Sequence, residues 1–165
     1  MNAPLVLSPA ALSQIDREIS KYPVEERQSA VMAALAIAQA EKGWLSTETM
    51  DFVAQYLGMP PIAVYEVASF YTMYNLKPVG KCKLTICTNL PCALQGVNVA
   101  AAHLKKRLGI EFGESTSDGV FTLREGECMG ACGDAPVMLR NDRTMLSWMT
   151  PEKIDALIEA ERKSE

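Results

Sequence analysis

The chain has 165 residues, room for one domain or two small ones. It carries 16 Lys and Arg against 20 Asp and Glu, a net charge of −4, and neither half holds a basic block. The electrostatic footprint of a nucleic-acid binder is therefore missing. Hydrophobic residues make up 48%, enough for a packed core and too many for a disordered chain.

The longest apolar run, residues 30–38, is mostly alanine and far short of the roughly 20 residues a membrane-spanning helix needs. The amino terminus, MNAPLVLSPAAL, places no Lys or Arg ahead of its short apolar stretch, unlike a secretory signal. The expectation is a cytoplasmic protein in a reducing compartment, where its five cysteines do not pair as disulfides.

The first half reads as helices. Ser8 followed by Pro9 is an N-cap with proline at the first helical position, and Leu12, Ile15 and Ile19 recur at helical spacing. Pro23 predicts the start of a second helix that runs through the alanine-rich stretch and stops near Gly43. Ser46 predicts the cap of a third, with Met50, Val53 and Leu57 on one face and Gly58 as its stop. Pro60 and Pro61 predict a fourth, with Val64, Val67, Ala68 and Tyr71 on its apolar face. The Lys-Pro-Val-Gly run at 77–80 breaks the pattern and marks a domain edge. It separates a helical domain at 1–78 from a second domain at 79–165.

From Lys81 the period becomes two. Lys81, Lys83 and Thr85 alternate with Cys82, Leu84 and Ile86, predicting a half-buried strand that ends at Cys87. A helix follows, with Leu94, Val97, Ala101, Leu104 and Leu108 on one face. Strands are expected at 120–124, 136–139 and 145–148, with turns at Ser117-Asp118-Gly119 and Asn141-Asp142. Thr150 and Pro151 cap a closing helix that turns Ile154, Leu157 and Ile158 inward. A strand–helix–strand unit forces a parallel pair. The expected fold class is thus α+β: an N-terminal helical bundle, then a thioredoxin-like α/β domain with a four-stranded mixed sheet.

Four of the cysteines form two spaced pairs. Cys87 ends the first strand and Cys92 starts the following helix, a C-x4-C spacing with Pro91 between them. Cys128 and Cys132 form a C-x3-C pair in a loop opened by Gly130 and Gly133 and bounded by Gly126 and Pro136. Two loops at one end of a sheet can gather four thiolates around a metal centre, and the carboxyl ends of parallel strands are where such sites lie. Zinc and iron–sulfur clusters both accept four thiolates, and spacing alone leaves the two open. The fifth cysteine, Cys82, shares strand phase with Leu84 and Ile86 and reads as core. A dithiol redox site is disfavoured because no C-x-x-C occurs.

His103, the sole histidine, falls opposite the apolar face of its helix and reads as a solvated surface residue. The scattered methionines read as core filling. The cluster of Phe70, Tyr71, Met73 and Tyr74 reads as packing between the helical part and the sheet. No G-x-G-x-x-G fingerprint and no phosphate-binding G-x-x-x-x-G-K-[ST] loop occurs, so no catalytic residue is assigned to this chain.

ICTNLPC followed by ECMGACGDAPV resembles the thioredoxin-like [2Fe–2S] ferredoxin family. So do Lys21-Tyr22-Pro23, Gln39 with Gly43-Trp44-Leu45, the run Val67-Ala68-Ser69-Phe70-Tyr71-Thr72-Met73, and Pro78-Val79-Gly80-Lys81, which are similar to the family's respiratory branch. The resemblance runs from about Leu12 to Ile158. It implies that Cys87, Cys92, Cys128 and Cys132 ligate one [2Fe–2S] cluster. It also implies one-electron transfer inside the NADH-oxidising module of respiratory complex I, peripheral to the inner face of the cell membrane. FMN and NADH would then sit on a partner subunit, and the helical half would serve docking or assembly. Relatives serve in NAD-reducing hydrogenases and NAD-linked formate dehydrogenases. A zinc-stapled structural subunit is the alternative of a different class. Met129 stands where the family most often has leucine, and Gly133 where it has an acidic or amide residue, changes that bear on packing and hydrogen bonds around the sulfurs.

Overall fold

Ser8 opens the first helix as its sequence position predicts, its hydroxyl accepting from the Ala11 N–H at 3.2 Å. The computed structural model describes residues 7–163. The chain divides into two compact units, one ending at Pro78 and the next beginning at Val79.

The first unit is helical: α1 (Pro9–Ile19), a 3-10 stretch (Val24–Ala30), α2 (Val31–Lys42), α3 (Thr47–Leu57) and α4 (Pro61–Phe70). Ser46 caps α3 by accepting from Thr49 N–H at 3.1 Å, and Gly58 ends it. Leu7, Ile15, Leu35, Leu45, Val53, Leu57 and Val64 fill the core. Gln39 braces the unit's last segment, donating to the Met73 carbonyl at 2.9 Å and accepting from Asn75 N–H at 2.6 Å.

Two expectations for this half need correction. The single helix from Pro23 to Gly43 is a kinked 3-10 stretch followed by a separate α2, because residues 24–29 are all exposed and give no apolar face to hold a helical register. Only from Ala30 does the buried spacing of Val31, Ala34, Leu35 and Ala38 begin. The aromatic cluster also splits. α4 ends at Phe70, which is 78% exposed, and Tyr71 is already extended. Only Tyr74 is buried, its hydroxyl donating to the Met32 carbonyl at 2.8 Å within the same unit.

The second unit is a thioredoxin-like α/β domain. Its strands are β1 (Cys82–Cys87), β2 (Phe121–Gly126), β3 (Met138–Arg140) and β4 (Thr144–Leu146), in the order β2-β1-β3-β4. β1 and β2 are parallel, with Cys82 opposite Phe121 and Cys87 opposite Gly126, and the remaining pairs are antiparallel. The helices are α5 (Leu90–Leu94), α6 (Val97–Leu108) and α7 (Pro151–Lys163). Leu104 and Leu108 of α6 and Ile154 and Ile158 of α7 share one core with Leu84, Ile86, Phe121 and Leu123. The fold class read from the sequence, a helical bundle followed by a four-stranded mixed sheet with helices, is the one observed.

Here the differences come from long-range partners. The helix expected through Leu94 and Leu108 breaks at Gly96, whose φ of +88° suits glycine, and Leu94 is left 78% exposed. Lys83 is buried instead of facing solvent. β1 is an inner strand, and the β3–β4 turn folds back on it: Lys83 N–H donates to Asn141 Oδ1 at 2.7 Å, and its ammonium pairs with Asp142. His103 is not free in solvent either; its Nε2 lies 2.9 Å from Asp155 Oδ1, which also takes Arg107 Nε at 2.6 Å, tying α6 to α7.

Candidate metal centre

Strand pairing sets the site. Because Cys87 ends β1 opposite Gly126 of a parallel strand, the two cysteine loops leave the sheet side by side. After β1, Asn89 caps α5, its Oδ1 accepting from Leu90 N–H at 3.1 Å, and Pro91 occupies the first turn. This short helix turns Cys92 into the core and leaves Leu90 and Leu94 outside. After β2, Cys128 comes two residues past Gly126, and Cys132 begins a 3-10 turn ending at Asp134. Cys87 and Cys92 are buried, while Cys128 and Cys132 are exposed.

The close pair is Cys128 and Cys132, with sulfurs 3.7 Å apart. Two thiolates on one tetrahedral metal with bonds of about 2.3 Å lie about 3.8 Å apart, so this pair is spaced as shared ligands would be. The remaining thiols lie within electrostatic reach. Burial pushes the Cys92 thiol up, and the neighbouring Cys87 and Cys132 thiols push it further. Cys132 is raised by its contact with Cys128, then by burial, with Cys87 adding to it. Thiols that raise one another's pKa are thiols whose negative charges a cation between them would relieve. Among the described residues, no three His, Cys, Asp or Glu side chains close around a single metal position. The four thiols lie as one pair on each loop, a donor set that both zinc and iron–sulfur clusters accept.

Backbone donors already face the sulfurs. Gly130, at φ +77°, directs its N–H to Cys128 Sγ at 3.4 Å. A backbone hydrogen bond from Val137, next to the cis Ala135–Pro136 peptide, holds back the rise of the Cys92 thiol. The Gly130 donor lies in the glycine loop, where spacing points. Val137 is not visible in the sequence, because only the fold brings the start of β3 beside α5. The far end of the second loop is anchored by Trp148 N–H to the Asp134 carbonyl at 2.8 Å and by Ser147 Oγ to Asp134 Oδ2 at 3.0 Å.

Cys82 is kept apart from this group. It is buried against Arg140 and Glu161, and burial first, then the Glu161 charge, pushes its thiol up to about 11.

The chain, helical unit and thiol-bearing domain together, matches a known family model, thioredoxin-like [2Fe–2S] ferredoxin, over residues 15–162. The chain belongs to that family. The E subunit of NADH-quinone oxidoreductase from Rickettsia bellii (strain RML369-C) is 45% identical over 90% of this chain and 89% of its own length. The E 2 subunit of the same oxidoreductase from Rhizobium meliloti (strain 1021) is 42% identical over 92% and 89%. The mitochondrial NADH dehydrogenase [ubiquinone] flavoprotein 2 of Dictyostelium discoideum is 45% identical over 79% of this chain and 53% of its own. Among solved structures, an NAD+-reducing [NiFe]-hydrogenase in the air-oxidized state superposes with a TM-score of 0.72 and 25% identity. That match covers 81% of this chain but only 23% of the hydrogenase chain.

Proposed function

We propose that this chain is the electron-carrying [2Fe–2S] subunit of the NADH-oxidising module of an NADH:quinone oxidoreductase. The observation that supports this reading is a cysteine pair on each of the two loops that follow the parallel neighbours β1 and β2. Relatives aligned over nearly the whole chain carry the name of that oxidoreductase's E subunit. A bound [2Fe–2S] cluster would supply reversible one-electron chemistry.

The chain's own residues would do the rest. Cys87, Cys92, Cys128 and Cys132 would be the ligands, two from each loop. The Gly130 and Val137 N–H groups, aimed at sulfur, would offset the negative charge that grows when an electron arrives. Met129, packed against the core, would limit water beside the buried Cys87 and Cys92. FMN and NADH would belong to a partner subunit. The helical unit would serve docking or assembly, with Phe70, Tyr71 and Met73 among its exposed apolar side chains. No helix among the described residues is long and apolar enough to cross a membrane, so attachment to the inner face of the cell membrane would come through the other subunits.

Tagged chain recovered from its own host tests the assignment. It should bring down an FMN-containing assembly that reduces quinone with NADH. Recovery in an assembly that instead reduces NAD+ with hydrogen or formate would move it to a hydrogenase or a formate dehydrogenase.

A further inference from the structure

The two cysteine loops remain tied together beyond the sheet. Past the last ladder position, Cys87 opposite Gly126, Thr88 N–H donates to the Gly126 carbonyl at 3.1 Å. The Thr88 hydroxyl donates to Glu125 Oε1 at 2.8 Å. Asn89 Nδ2 then donates to Glu127 Oε2 at 2.7 Å. Asn89 is also the cap of α5, so one side chain holds the start of the helix that carries Cys92 and, through Glu127, the residue before Cys128.

We infer that Asn89 and Glu127 are positioning residues whose mutual hydrogen bond sets the separation between the Cys87/Cys92 pair and the Cys128/Cys132 pair. The inference rests on the [2Fe–2S] reading and deepens it. A two-iron centre drawing ligands from both loops needs that separation fixed, whereas the sheet itself does not. The backbone ladder already joins β1 to β2 as far as Cys87 and Gly126, and the Asn89–Glu127 bond lies outside it in exposed loops. A bond to a carboxylate is of the stronger, charge-assisted kind. Glu127 also places a negative charge beside Cys128, so its length and its charge act separately: length sets geometry, and charge holds the potential down.

The test uses the full chain reconstituted with iron and sulfide. Iron loss to a ferrous chelator is timed, the reduction potential is titrated by EPR, and the melting midpoint of the metal-free chain is recorded. Asn89→Ser, which keeps a capping oxygen but supplies no amide to Glu127, and Glu127→Ala should each release iron about tenfold faster than the wild type, and the double variant no faster than either, because each removes the same bond. Glu127→Gln keeps an acceptor for Asn89; it should release iron near the wild-type rate while its potential rises. Metal-free melting should be alike in all. Asn89→Ser holding iron like the wild type would overturn the inference, as would single-variant effects that multiply in the double variant. A uniform fall in metal-free melting would also overturn it, since that marks a plain fold contact. A wild type that takes up no iron overturns the [2Fe–2S] reading itself, and the inference with it.

Discussion

Cys87 lies opposite Gly126 in the parallel register of β1 and β2, and a side chain cannot be added at Gly126 without collision. A Cβ there would stand 2.7 Å from Thr85 Cγ2 and 3.0 Å from Met129 Cε. Gly126→Ala should therefore force the Thr85 side chain of β1 aside and swing the Met129 methyl away. Overpacking of this kind costs about 1–3 kcal/mol, and iron content should fall with it. Gly133 has nothing within 4 Å of its Cβ position, so Gly133→Ala should match the wild type in both melting and iron content. Equal iron in both variants would contradict this account of the loop.

The ligand set makes a second prediction. Cys128→Ser should lower bound iron while far-ultraviolet circular dichroism stays native, because Cys128 is exposed and outside the core. Cys82→Ala, within the core, should keep full iron and lose melting temperature instead. Iron retained in Cys128→Ser, or lost in Cys82→Ala, would show that the assignment of the five cysteines is wrong.

Thiol reactivity gives a third. After metal removal, iodoacetamide at about pH 8 should label Cys128 and Cys132 well before Cys82, whose thiol is buried and pushed up to about 11. Only the thiolate is alkylated, so raising the pH from 8 towards 10 should unmask Cys82 only slowly while the fold holds. Early modification of Cys82, read by peptide mass mapping, would show that β1 opens readily.

Lys83 supplies a fourth. Its side chain is 4% exposed against 35% for Asp142, its ion-pair partner. Asp142→Asn preserves a residue tolerant of the positive φ at this turn, yet removes the charge facing a buried ammonium. It should cost about 1–3 kcal/mol in chemical denaturation, below the full cost of breaking a buried pair because Asp142 is partly exposed. Unchanged stability would mean that the Lys83 charge is balanced elsewhere.

What the sequence revealed, it revealed through local chemistry. Ser8 and Ser46 cap the helices they precede, Gly58 stops α3, and the strand–helix–strand order of the second half dictates a parallel pair. What it hid depends on residues far apart in the chain. The exposed run at 24–29 has no apolar face, so Pro23 begins a 3-10 stretch rather than α2. Lys83 has the phase of a solvent-facing residue, and only the turn carrying Asn141 and Asp142 buries it. The site divides in the same way. The Gly130 donor sits inside its own cysteine loop and is legible there. The Val137 N–H and the Asn89–Glu127 bond join segments 38 or more residues apart and have no local signature.

The central claim, two irons held between the cysteine pairs, is tested most directly on chain purified without oxygen, by metal analysis followed by EPR after dithionite reduction. The account predicts about two irons and no zinc per chain, with a spin-half signal appearing only on reduction. Colourless protein holding one zinc and giving no signal would contradict it and leave a structural role for the four thiols.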